Sequence, residues 1–303
     1  MRSLVLVVVL AGCHGAASRG TLVALHSACG DTEYWDGSAC RPRGDSAARV
    51  AAGKQALARL DVDVAKAALD GAERGGPLDH ETNVTLWEQR GIAAAYVDDE
   101  RTASAAFDML LALDPGHFLS YTLSPKATFV FEKVRNQTRV RGTPALDVNW
   151  PHGQRVGDPV PIDLEVVADP KQLRRRATLF VRTRGEPTWR AADVPLITSP
   201  AAPGSSLALA ERRVLLPPVE ATRPVSLELY LRAYDDHGNE VLTWADARRP
   251  REIPLRYDAP TPWYRRGWFY AAVGTVVAAG VGVAVYELTL APPDKVSGSV
   301  SVK

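Results

Sequence analysis

Three textures of apolar and polar positions follow one another along the chain. From Asp45 to Arg139, apolar residues fall in rows three or four apart among Ala, Glu, Lys and Arg, the spacing of one helix face. After Gly142-Thr143-Pro144 the period drops to two. Leu146 to Trp150, Pro161 to Val167 and Ala177 to Arg182 alternate, and Ser226 to Tyr234 does so most clearly. There Leu227, Leu229, Leu231 and Ala233 face one way, and Glu228, Tyr230, Arg232 and Tyr234 the other. Asp235 to Asn239 predicts a hairpin turn, with a return strand over Val241 to Trp244. The third texture is Gly267 to Tyr286, a run without one charged residue. A helix of that length rises about 30 Å, the thickness of a hydrocarbon core. Trp263, Tyr264, Trp268, Phe269 and Tyr270 crowd one end and Tyr286 the other, as interfacial aromatics do.

The helical texture repeats itself. Gly53, Ala65, Leu69 and Pro77 recur as Gly91, Ala103, Phe107 and Pro115, always thirty-eight positions on. In the second copy, Trp87, Gly91, Ala103, Phe107 and Pro115 fall on the spacing of the tetratricopeptide repeat, which this copy resembles. The resemblance implies two antiparallel helices in close approach at Gly91 and Ala103. Trp87 and Phe107 would fill the groove around them, and Pro115 would end the second helix. Arg90 and Ala94 depart from the family, which carries larger apolar residues there, and Arg49 replaces the aromatic in the first copy. An offset longer than the family's ~34 residues predicts a longer connection, from Gly75-Gly76-Pro77 to Glu81. Ser124-Pro125 predicts an N-cap and first helical residue for a helix over Lys126 to Arg135, carrying Phe129, Val130 and Val134. That helix would cover the open end of a two-repeat array. The alternating region argues for an antiparallel β-sandwich, immunoglobulin-like or fibronectin-like in pattern only, since no Cys–Trp–Cys signature is present.

The N-terminus carries an address. Met1-Arg2 precedes a short apolar run, Leu4 to Leu10, too brief to span a bilayer. It ends in Leu10-Ala11-Gly12-Cys13, which resembles the lipobox of bacterial lipoproteins and implies lipidation at Cys13. The alternative is an ordinary secretory signal cut near Ala16-Ala17. Cys29 and Cys40 are left as a candidate disulfide around a turn at Asp36-Gly37, which an exported compartment permits. The expected organisation is α plus β and multidomain: signal peptide 1–12, a Cys-containing linker 13–44, a tetratricopeptide-like helical array 45–139, a β-sandwich 142–258, one C-terminal transmembrane helix with flanks 263–290, and a polar tail 291–303.

Composition adds mostly exclusions. A net charge of +1 argues against a nucleic-acid partner. The basic run Lys171 to Arg176 reads as a solvated loop between strands, with a contact to an acidic lipid or protein as the alternative. Six histidines are scattered without ligand spacing, and no nucleophile elbow, zinc-binding helix or phosphate loop is found, so neither catalytic nor metal residues nor a cofactor are expected. Asp98-Asp99 and Asp235-Asp236 read as turn residues bonding to backbone. The expected function is therefore a non-enzymatic, membrane-tethered envelope scaffold that binds a protein or peptide through its helical array, with Glu88, Arg90 and Tyr96 as contacts. Its layout resembles bacterial envelope proteins in which such a helical module precedes a sandwich and a terminal span. Gly274, Ala278 and Gly282 lie four apart, a packing face for a homodimer through the membrane helix. The alternative is a glycan- or peptidoglycan-binding module using Trp150, Trp189, Tyr230, Tyr234 and Trp244 of the sandwich. Export places the bulk of the chain in the periplasm at the inner membrane. Arg265 and Arg266, flanking the span, favour instead a tail-anchored chain with its bulk cytoplasmic.

Overall fold

The computed structural model describes residues 20–120, 122–139, 145–169, 171–196, 211–259, 262–265 and 267–289. The signal segment, Cys13, Arg266 and the tail 291–303 lie outside the described residues. The chain divides into two compact units, Met1–Tyr257 and Asp258–Lys303. Six helices and several largely antiparallel sheets make a mixed α and β protein among the described residues.

The segment expected to be a linker carries strands. β1 (Thr21–Leu22) and β2 (His26–Ser27) each join a larger sheet, and β3 (Glu33–Trp35) pairs with β4 (Cys40–Pro42) in a small hairpin. Runs of two or three residues show no period that a sequence pattern can reveal, so only the pairing makes them visible.

Two helical hairpins follow. α1 (Ser46–Ala58) pairs with α2 (Val62–Arg74), and α3 (His80–Tyr96) with α4 (Glu100–Leu113). The thirty-eight-residue repeat holds at the level of single hydrogen bonds. The amides of Arg59 and Asp61 both donate to Ala56 O, and those of Val97 and Asp99 both donate to Ala94 O. Leu60 and Asp98 occupy the left-handed region at equivalent positions, with φ of 63° and 59°. Asp61 and Asp99 then cap the second helices by accepting from Val64 N at 3.4 Å and Thr102 N at 3.0 Å. The glycines explain why the hairpins can close. A Cβ on Gly53 would lie 2.7 Å from Leu69 Cδ2, and one on Gly91 would lie 2.3 Å from Phe107 Cε1. Neither position has room for a side chain.

The copies differ at one end. The counterpart of Ser46 is Val84, yet α3 begins at His80, about one turn earlier than the repeat requires. Asp79 initiates that turn, accepting from Thr82 N at 2.9 Å and Thr82 Oγ1 at 2.8 Å. The connection expected to reach Glu81 therefore stops at Asp79, and the extra residues are partly helix. α5 (Pro125–Thr138) packs on α3 and α4 through Ala127, Val130, Phe131 and Val134. Phe131 meets Phe107 edge-on at 5.4 Å, whereas Phe129, expected on the covering face, is 68% exposed.

The remaining strands form two sheets. β5 (Ala145–Asn149), β6 (Val160–Ala168) and β9 (Glu211–Leu216) are antiparallel, and β1 adds in parallel at the edge, giving the order β1-β9-β6-β5. The second sheet contains β7 (Arg176–Thr183), β8 (Arg190–Pro195), β10 (Val225–Tyr234) and β11 (Glu240–Trp244) in the order β11-β10-β7-β8-β2, and β12 (Arg251–Leu255) also pairs with β10. One apolar cluster joins the sheets: Val148, Ile162, Leu164 and Val214 from the first meet Leu179, Leu229, Leu231 and Ile253 from the second. Each fully buried Leu or Ile contributes about 1.5–3 kcal/mol, which makes this cluster a dominant stabiliser of the region. β10 sends Leu227, Leu229, Leu231 and Ala233 into it, as its alternation requires. The opposite face of β10 is also largely buried: Tyr230 and Tyr234 lie beside the N-terminal hairpin, and Glu228 accepts from Arg182 of β7 at 2.6 Å.

In the second unit, a 3₁₀ turn at Trp263–Arg265 leads to α6 (Gly267–Thr289), which is long and apolar enough to cross a membrane. Its polar Thr275 donates to Ala271 O at 2.8 Å and so needs no outside partner.

Candidate functional site

The extra turn of α3 is what attaches the helices to the β10–β11 hairpin. Leu78 N donates to Asn239 Oδ1, and Glu240 N donates back to Leu78 O, both at 2.9 Å. Asn83, only 3% exposed, donates from Nδ2 to Glu240 O at 3.2 Å and accepts from Trp87 Nε1 at 3.1 Å. An amide suits this position because it donates and accepts at once. Asn239 is held in turn by Asp235, which accepts from the amides of His237 and Asn239 and from Asn239 Nδ2. Trp87 was expected to fill the groove within its helix pair. It packs against the helical cluster that contains Ala103 and Phe107, and it also borders the cluster between the sheets. Asn83 also sits in a glycosylation pattern, but its buried amide offers no acceptor.

Beside this junction a cleft of about 620 Å³ opens between the ends of α2 and α3, α4, the β6–β7 loop and the β10–β11 hairpin. Leu78, Leu86, Leu113 and Val241 supply an apolar floor. Its walls include Glu73, Arg74, Lys171, Gln172, Arg175 and Asp236. The basic run read as a solvated loop is thus a wall of the cleft and part of the junction. Lys171 Nζ lies 2.5 Å from Asp108 of α4, and Arg175 Nε lies 3.3 Å from Asp236 of the hairpin. Arg174 is buried 3.7 Å from Asp169, and burial lowers the pKa of its guanidinium. Asp169 also accepts from Leu173 N and Arg174 N, which fixes the loop.

The expected partner contacts are used internally. Arg90 lies between Asp70 and Glu73 of α2, at 3.1 and 2.5 Å, with its guanidinium 5.0 Å from the Trp87 ring and its side chain 20% exposed. The polar departure from the repeat pattern is therefore an inter-helix ion-pair site. Glu88 is half-buried, 3.8 Å from His117, which also meets Asp114 at 3.2 Å. Tyr96 is half-buried against the helical cluster. Gly91, Ala103 and Phe107 sit in the helix contact described above, and Pro115 follows Asp114, the C-cap of α4.

The face of the second sheet away from the shared core carries most of the remaining aromatic residues. Phe180 stacks on Tyr230 at 4.5 Å, and Trp189 meets Tyr230 edge-on at 4.7 Å with Arg182 over its ring. The Cys29–Cys40 disulfide closes the segment beside them. His26 stacks on Trp35 at 3.9 Å, Arg176 donates to Trp35 O at 3.5 Å, and Glu240 accepts from Arg43 at 2.6 Å and Arg232 at 3.2 Å. Burial pushes the phenols of Tyr230 and Tyr234 up to about 12. Trp150 and Trp244 pack edge to face at 6.4 Å against the inter-sheet cluster. Of the rings considered for glycan stacking, Tyr230 and Tyr234 are covered and Trp189 is half-buried.

Gly274, Ala278 and Gly282 all fall within α6, one helical turn apart. Among the described residues, no group of three or more His, Cys, Asp or Glu is placed to hold a metal. The site residues that sequence reasoning missed are Asn83, Arg74, Lys171 and Arg175. The signal for Asn83 was the four-residue excess of the repeat, which marks an insertion at the junction.

No protein family matches the chain, and no curated protein matches it. Among solved structures it is similar to a cohesin module from a family 33 glycoside hydrolase of Clostridium perfringens, at 11% identity over 39% of this chain and 98% of that one, with a TM-score of 0.24. At that score the likeness assigns neither fold nor function.

Proposed function

We propose that this chain is a non-enzymatic, membrane-tethered scaffold of a bacterial envelope that binds a protein or peptide partner. In this reading a tetratricopeptide-like array is docked on an immunoglobulin-like or fibronectin-like β-sandwich, and α6 is the anchor. The observation that carries it is the cleft of about 620 Å³ at the junction, with an apolar floor and walls whose ion pairs hold the two parts in place. Repeated backbone bonds and glycine contacts support the array, and the apolar cluster common to both sheets supports the sandwich. The disulfide favours an oxidising compartment, hence the periplasmic side, with lipid on Cys13 as a second attachment. A homodimer through the Gly274, Ala278 and Gly282 face belongs to the same proposal.

A photo-crosslinking residue at Gln172 in living cells tests the binding reading, with Glu186 in the β7–β8 turn as control. The expected result is a discrete protein adduct from Gln172 and none from Glu186. Adducts with glycan strands alone would favour the alternative module, whose partly exposed rings are Trp150, Trp189 and Trp244. Orientation is read by thiol labelling of intact cells with a membrane-impermeant reagent, with and without reductant. Labelling that needs reductant but not lysis is expected, and labelling only after lysis would leave the tail-anchored cytoplasmic arrangement.

A further inference from the structure

We infer that the junction cleft takes a short acidic peptide segment, seating an apolar side chain on its floor and a carboxylate against Arg74. The inference rests on the scaffold reading and adds the chemistry of its ligand. Around the cleft, the carboxylates are already satisfied. Asp235 accepts three hydrogen bonds from its own turn, Glu73 faces Arg90, Asp236 faces Arg175, and Asp108 neutralises Lys171. The cations are not all satisfied. Arg74, exposed in the last turn of α2, has no partner among the described residues, whereas Arg175 is paired with Asp236 at 3.3 Å. Among the described lining residues, the side-chain charge left without a partner is therefore the positive one of Arg74. A guanidinium fork suits a carboxylate, which it can hold through two parallel bonds.

The floor selects for an apolar neighbour to that carboxylate. Leu78, Leu86 and Val241 form a patch bordered by Trp87, and a volume of about 620 Å³ falls within the range of ordinary ligand sites. Gln172, exposed in the β6–β7 loop that lines the cleft, offers both a donor and an acceptor to a peptide bond. A peptide bond can use both groups of that amide, whereas an acyl chain can use neither.

The test uses the full chain in detergent micelles and a phage-displayed library of short random peptides. Sequences that place Asp or Glu next to Leu, Phe or Trp are expected to enrich. A fluorescent copy of an enriched peptide should bind at least tenfold more weakly to Arg74→Glu, a loss of about 1.4 kcal/mol or more. Arg74→Lys should recover part of the affinity. Arg59→Glu reverses an exposed charge at the other end of α2, about 20 Å away, and should change nothing. Both arginines are on the surface, so these variants keep the fold. Enrichment of basic or purely apolar peptides would overturn the inference. So would no enrichment, equal losses from Arg59→Glu and Arg74→Glu, or displacement by anionic vesicles. If Gln172 still crosslinks to a protein in cells under any of these outcomes, the scaffold reading survives and only its acidic ligand falls. If Gln172 captures no protein, the scaffold reading itself falls.

Discussion

A single methylene decides how the helices meet. At Gly91 the absent Cβ leaves room for a Phe107 ring that is fully buried and edge-packed by Phe131, so the ring cannot retreat. Gly91→Ala gains about 1 kcal/mol of helix propensity, but overpacking costs about 1–3 kcal/mol. Net destabilisation is expected in urea denaturation, with partial recovery when Phe107→Leu is added. Gly53→Ala should destabilise as well, because its Cβ would lie 2.7 Å from both Cγ and Cδ2 of the fully buried Leu69. Single phenols set the alkaline limit. Tyr230 and Tyr234 stay protonated in the folded chain until about pH 12, whereas unfolded tyrosines ionise near 10. Between those values the unfolded chain releases protons that the folded chain retains, so stability is full below about pH 10 and falls as pH rises toward 12. Tyr234→Phe should flatten that fall in unfolding curves measured across the interval. A slope unchanged in the variant would argue against a buried Tyr234 phenol.

At the scale of elements, the informative unit is the extra turn at the start of α3. It interrupts the repeat and supplies Asn83 to the β10–β11 hairpin, next to the bonds made by Leu78 just before its cap. Asn83→Ala removes one donor and one acceptor from a buried site and strands Trp87 Nε1. A loss of about 1–3 kcal/mol is expected, with a shift in tryptophan emission. An unchanged denaturation midpoint would mean that the helices hold the hairpin by packing alone. The repeat itself was legible in the sequence because Gly, Ala and an apolar residue recur at one offset. Arg90 was legible as a departure from the pattern, but its role was not. Only the fold brings Asp70 and Glu73, a helix away, within reach of its guanidinium.

For the whole molecule, attachment to the membrane is the proposal with the sharpest consequence. With both α6 and a lipid on Cys13 acting as anchors, truncation after Tyr257 or Cys13→Ser alone should leave the chain in the membrane fraction after a carbonate wash. The two changes together should release it, as a compact unit with its core intact. Release by the truncation alone would remove the lipid from the account.

Periodicity is a local property, so the sequence by itself determined where helices, the longer alternating strands and the apolar C-terminal helix lie. It also exposed the repeat, since equivalent packing contacts demand equivalent residues at equal spacing. The rest depends on residues far apart in the chain. Arg43 reaches Glu240, Lys171 reaches Asp108, and His26-Ser27 pairs with β8. Strands of two residues have no period, and an ion pair carries no trace of its distant partner. Only the tertiary structure could show that the N-terminal segment lies beside the second sheet, that the basic loop forms a wall of a cleft, and that the cleft exists.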